Sequence, residues 1–190
     1  PYQESDVPRP INAYGESKLA GEIAIRETAP RHVILRTSWV YSPYGKNFVR
    51  TMLRLMTSKS EIKVVDDQIG CPTSAEHLAR AILRILPETL EADRNVTGTY
   101  HLTSSVAMSW HAFACRIQTA AIKAWGRDWF GSGCMITPVG TDAFPTTAKR
   151  PSYSALSTTL FSETFGFALP DVDDGLSFML AAIRRSDFDA

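Results

Sequence analysis

Tyr14 and Lys18 stand four residues apart in Tyr14-Gly15-Glu16-Ser17-Lys18, at the start of a stretch whose apolar periodicity predicts a helix over 12–28. On a helix this spacing puts phenol and ammonium on one face, with Cβ atoms about 5–6 Å apart. A free phenol has a pKa near ~10 and is a poor acid at neutral pH. A fixed cation beside it favours the phenolate and draws that value toward the working pH. Such a pair can give a proton to a carbonyl oxygen while hydride reaches the carbonyl carbon. The same spacing occurs in many helices without that role, so its surroundings must decide.

Those surroundings begin with residues 32–40, His-Val-Ile-Leu-Arg-Thr-Ser-Trp-Val, which read as a strand. The Val-Ile-Leu run suits an inner strand of a parallel sheet, buried on both faces. In open α/β sheets ligands sit outside the carboxyl ends of the strands. Trp39 lies at such an end, where a sugar ring could stack on it, although core packing explains a lone tryptophan equally simply.

Further along, helices are predicted over 47–57, 74–86, 110–125, 157–165 and 173–184, and strands over 62–65, 98–102 and 135–139. Ser74 and Ser109 are the expected N-caps of two of the helices, and Trp110-His111 opens the second without needing a ligand. Residues 66–72 read as a loop in which Gln68 and Thr73 help to shape a turn, with Gly70 and Pro72 setting backbone angles. Helices alternating with strands at this spacing predict an α/β fold.

Composition excludes several classes. Among 190 residues, 44% are hydrophobic and 20 basic side chains balance 20 acidic ones, so no broad positive field for nucleic acid is expected. No apolar run approaches the ~20 residues of a membrane span, and no leader pattern opens the chain. Cys71, Cys115 and Cys134 have irregular spacings and read as thiols in a reducing cytoplasm, not as zinc ligands. The scattered His32, His77, His101 and His111 read as structural.

Several motifs in order, Y-G-E-S-K-L-A-G-E, R-T-S-W-V-Y, N-F-V-R-T-M-L-R-L, D-D-Q-I-G-C-P-T and K-R-P-S-Y-S-A-L, resemble the extended short-chain dehydrogenase/reductases, and within them the dTDP-4-dehydrorhamnose reductases. The resemblance covers essentially the whole chain and is weakest between Thr103 and Thr137. It implies that Tyr14 is the proton donor to the C4 oxygen of dTDP-4-dehydro-6-deoxy-L-mannose, and that Lys18 lowers its pKa and holds the nicotinamide ribose of NADPH or NADH. It places Trp39 against the deoxysugar, and Asn47 and Arg150 near the sugar nucleotide. A guanidinium suits a diphosphate through bidentate contacts, and a surface ion pair explains Arg150 equally well. Some members of the family bridge a homodimer through magnesium held by acidic side chains, and Glu76 stands at a matching position.

The resemblance also implies the architecture: the C-terminal portion of a Rossmann-like doubly wound parallel sheet, over 1–40 and 61–96, plus a smaller α/β substrate-binding domain, over 41–60 and 97–190. A Gly-rich phosphate loop and a Ser/Thr partner for the tyrosine belong upstream of Pro1 in such a fold. The chain therefore reads as entered mid-fold, incompetent for turnover alone, and prone to associate through uncovered surfaces. Two other readings stay open: a non-catalytic regulatory subunit of the same fold, and a sugar-nucleotide epimerase or dehydratase using the same tyrosine and lysine.

Overall fold

The computed structural model describes residues 1–91, 93, 95–130 and 133–183. Asn12 caps the first helix, α1 (Ala13–Thr28), its Oδ1 accepting from the Gly15 amide at 2.9 Å. There follow β1 (Val33–Arg36), β2 (Val40–Tyr41), α2 (Phe48–Ser58), β3 (Glu61–Val65), β4 (Ile69–Gly70), β5 (Thr73–Ser74) and α3 (Ala75–Leu90). The chain continues through β6 (Gly98–His101), β7 (Met108–Ser109), α4 (Trp110–Trp125), β8 (Met135–Val139), α5 (Thr159–Phe165) and α6 (Val172–Ala182). The last expected helix was to end at residue 184, which lies outside the described residues.

Strands pair in parallel as β1 with β6, β2 with β5 and β3 with β8, while β4 and β7 pair antiparallel. The result is a mixed α/β fold with parallel strand pairs. The expected strand over 32–40 is broken in two, because Trp39 takes a left-handed backbone, φ 45°, that no strand can contain. The expected loop over 66–72 holds β4, whose pairing with β7 depends on residues nearly forty positions away.

Two apolar cores form. One gathers α2, α4 and α6 with β3, around Leu53, Met56, Ile62, Phe113, Ile117 and Leu176. The other joins β6, α3 and α5 through Tyr100, Leu102, Ile85, Phe161 and Phe165, with Val33 and Leu35 of β1 against it. Ile62 and Val64, expected with the dinucleotide-binding segment, therefore pack in the first core. Tyr100 and Leu102, expected with the substrate segment, pack in the second.

The expectation that α1 packs its apolar stripe on an inner strand needs correction. No α1 residue is buried, Ile23 stays 43% exposed, and among the described residues β1 pairs on one edge only. The described residues put no apolar face beneath the stripe. Polar contacts hold the helix instead: Arg36 donates to both carboxylate oxygens of Glu22, Arg26 reaches Thr99 Oγ1, and Asn12 Nδ2 donates to the Lys149 carbonyl.

Candidate active site

The first two turns of α1 carry Tyr14 and Lys18 on one face, with Lys18 Nζ 5.5 Å from the centre of the Tyr14 ring. Tyr14 is 73% exposed, so its hydroxyl is open to a reactant. The same face continues in steps of four through Glu22 and Arg26. Glu22 accepts from Arg36 Nε at 2.8 Å and Nη2 at 2.6 Å, a bidentate pair linking the helix to the last residue of β1. The hydrogen bond from Arg36 holds the Glu22 carboxyl below its usual range against the opposing effect of burial. The helix of Tyr14 and Lys18 is thus fastened to the carboxyl end of a parallel strand by an ion pair one helical turn beyond Lys18.

Tyr41 in β2 is a phenol of another kind. It is buried, donates to the Val172 carbonyl at 3.2 Å, and has its pKa pushed up by burial, all of which suit a structural tyrosine. Tyr14, by contrast, is exposed.

Trp39 is half-buried and is the single non-glycine with positive φ among the described residues. A left-handed backbone costs an L-residue about 1–2 kcal/mol, so its surroundings must hold it there. Its indole stacks on Trp110 with centroids 3.5 Å apart and planes 6° from parallel. Its other close neighbour is Gly70, where any Cβ would overlap the indole, with Nε1 at 2.6 Å. The spacing of residues in the sequence gave no sign of Trp110, which reads there only as the first residue of a capped helix. An aromatic at the first position of that helix was the available signal.

Asn47 caps α2, its Oδ1 accepting from the Arg50 amide while Nδ2 donates to the Ser42 and Tyr44 carbonyls. Both amide hydrogens are committed to shaping the 42–47 loop. Arg150 lies in a wholly exposed stretch, 141–151, whose ends are fastened. At one end Thr141 is bound by Asp67, and Gln68 Nε2 donates to its hydroxyl at 3.0 Å. At the other, Lys149 is held by Asn12, and residues 152 and 154 exchange backbone hydrogen bonds with Ile69.

Residues 66–70 therefore do more than shape a turn. Asp66 accepts from Ser109 Oγ at the entrance of α4, Asp67 and Gln68 fix Thr141, Ile69 fixes the 152–154 segment, and Gly70 seats Trp39. Gln68 and Thr73 are both buried, Thr73 donating through its hydroxyl to the Cys71 carbonyl. This one short segment connects the Trp39 neighbourhood to the Arg150 stretch, and Asn12 connects that stretch to the helix of Tyr14.

Other titratable groups fall outside this arrangement. His77 meets Asp174 at 3.0 Å, His32 meets the Ala29 carbonyl, His111 lies beside Asp66, and buried His101 has its pKa pushed down by loss of hydration. Burial pushes the thiols of Cys115 and Cys134 up, away from reactive thiolates. Glu76 accepts from Arg80 at 2.7 Å, and among the described residues no group of three or more His, Cys, Asp or Glu is placed to hold a metal ion. A groove of about 470 Å³ lies between the start of β1 and α3, lined by Val33, Ile82, Leu86 and Leu90, and includes neither Tyr14 nor Lys18.

Comparison with known proteins bears on these observations. The family profile of the RmlD substrate binding domain matches residues 1–185. A dTDP-4-dehydrorhamnose reductase of Sinorhizobium fredii is 39% identical over 191 residues, which take in 100% of this chain and 63% of that protein. Another, of Escherichia coli K12, is 41% identical over 183 residues, 95% of this chain and 59% of that protein. The crystal structure of the Bacillus anthracis dTDP-4-dehydrorhamnose reductase in complex with NADP aligns with a TM-score of 0.82 at 35% identity, covering 96% of this chain and 59% of that one. The chain spans about three fifths of the length of the curated relatives it matches. A profile match over nearly every residue, with relatives at 39 and 41% identity, shows that the chain belongs to the dTDP-4-dehydrorhamnose reductase family.

Proposed function

We propose that this chain supplies the proton donor and the sugar pocket of a reductase that converts dTDP-4-dehydro-6-deoxy-L-mannose to dTDP-L-rhamnose. The observation that carries the reading is the exposed Tyr14 with Lys18 5.5 Å from its ring, on a helix fastened at a strand end. Tyr14 gives its proton to the C4 oxygen, and Lys18 favours the phenolate that is left. An open phenol and ammonium on one face fit a nicotinamide ribose, and a bound nicotinamide supplies the hydride. NADPH is the favoured form, since the Bacillus anthracis relative was solved with NADP. Lys18 and Tyr14 hold the ribose from the α1 side.

Trp39 lies under the deoxysugar. Arg150, exposed on its fastened stretch, meets the diphosphate through charge-assisted contacts. Asn47 acts through the 42–47 loop that its two donated hydrogen bonds shape. The core around β6, α3 and α5, with β1 against it, belongs to a Rossmann-like dinucleotide domain, and the core of α2, α4, α6 and β3 to the sugar-nucleotide domain. Hydride transfer needs both reactants in near-attack geometry, so turnover belongs to a polypeptide that also carries the part of the family beyond this chain.

The test is consumption of NADPH on addition of the dTDP-4-keto sugar by that longer polypeptide, together with its Tyr14→Phe variant. Turnover that Tyr14→Phe abolishes is expected. Ligand binding without turnover favours the regulatory-subunit reading, and a tightly retained NAD with interconversion of sugar epimers favours the epimerase.

A further inference from the structure

We propose that Trp110 is a positioning residue for sugar recognition: it holds Trp39 in its left-handed conformation, so that the start of α4 sets the pocket's preference for a nucleotide-linked deoxyhexose. The inference rests on the reading of Trp39 as a sugar contact. A tryptophan at φ 45° is strained and persists only where neighbours over-determine it. Trp110 and Gly70 are two such neighbours, through the 3.5 Å stack and a position with no room for a Cβ.

These two neighbours are parts of one junction. Gly70 in β4 pairs with Met108 in β7, and β7 runs directly into α4. Between them Ser109 caps α4 by accepting from the Ala112 amide at 3.0 Å, and its hydroxyl donates to Asp66 Oδ1 at 2.5 Å. Phe48 of α2 backs Trp110 at 4.5 Å. Two further turns of α4 are anchored by Phe113 and Ile117, both fully buried, so the position of Trp110 is fixed by the first core.

Burial separates this pair from ordinary packing. Phe113, three residues on, is 0% exposed, whereas Trp39 and Trp110 are both only half-buried. Two nearly parallel, stacked indoles left partly open to solvent form a slab. The C–H faces and 6-methyl group of a deoxyhexose are the part of a sugar nucleotide that gains from such a surface. The nucleotide and diphosphate do not, and that difference makes the inference testable.

The full chain, as wild type and as Trp110→Leu, Trp110→Phe and Gly70→Ala variants, is titrated with dTDP-L-rhamnose and with dTDP by calorimetry. Far-ultraviolet circular dichroism follows the exciton couplet that the strong indole bands of two stacked tryptophans produce. Trp110→Leu is expected to abolish that signal and to lower the preference for dTDP-L-rhamnose over dTDP by about 3- to 10-fold. Affinity for dTDP itself stays unchanged. Trp110→Phe retains most of the preference, and Gly70→Ala, which displaces Trp39 without touching Trp110, reduces it. A lost exciton signal with an unchanged preference overturns the proposal, as does a parallel fall in dTDP affinity, the mark of a merely structural role. A wild-type chain that binds dTDP but shows no preference for the sugar overturns the sugar-pocket reading itself, and the inference with it.

Discussion

At the scale of single residues, Trp39 is where backbone strain and recognition meet. Glycine occupies a left-handed backbone without the Cβ penalty that any other residue carries there. Trp39→Gly and Trp39→Ala lose the same stack, yet the glycine variant is expected to be the more stable by about 1 kcal/mol, measured by chemical denaturation. Equal stabilities would show that φ 45° is not a source of strain. Tyr14 sits at the opposite extreme, with little packing to lose. Tyr14→Phe is expected to lower kcat on the order of 10²-fold or more in the polypeptide competent for turnover, with a nearly unchanged melting temperature. The Tyr14–Lys18 face was legible because helical period alone brings residues four apart together. The Trp39–Trp110 stack was not, since seventy-one positions separate the two and β4 must pair with β7 before they meet.

Among the helices of ten or more residues, α1 is unusual in burying none of its residues, and polar groups carry its attachment to β1. Sequence periodicity located it within a residue but misjudged its attachment, because an apolar stripe tells only which face seeks cover, not whether the described chain provides it. The Glu22–Arg36 pair, with side chains 16 and 21% exposed, carries much of the docking. Glu22 titrates below its ordinary 4.5 in the fold, so the pair stabilises above that pH and its contribution is lost as pH falls through the lowered value. Glu22→Gln is expected to cost about 1–2 kcal/mol near neutrality and to flatten this part of the acid-denaturation profile. Hydrogen exchange should show the amides of α1 opening faster in the variant, while α4 amides keep their protection. Uniform loss of protection in both helices would contradict the picture of a helix docked by one ion pair.

For the whole molecule, the exposed apolar residues of α3 matter most. Ile82, Leu83, Leu86 and Leu90 are 46, 68, 47 and 73% exposed beside a strand with one unpaired edge among the described residues. An uncovered apolar face next to an open strand edge favours association. Sedimentation of the chain is expected to show concentration-dependent self-association that Leu86→Lys with Leu90→Lys reduces; a monomer at all concentrations would count against it. The α/β class was legible from alternating periods, and the 135–139 strand was placed at its observed bounds. Which core β3 and β6 join was not, because each finds its partner in a distant segment that no local pattern identifies.

The N-terminal segment closes on the far end of the chain: Tyr2 donates its amide to the Ala155 carbonyl and accepts at its own carbonyl from the Ser157 amide. During synthesis, then, Tyr2 must wait for residues 155–157 to leave the ribosome before its partner exists. The β1–β6 and β3–β8 pairs impose the same delay over shorter separations. Such late closure of long loops makes maturation slow and leaves the early part of the nascent chain in need of shelter. The geometry at Tyr2 thus makes the setting of the Tyr14 helix complete only once residues 155–157 are present.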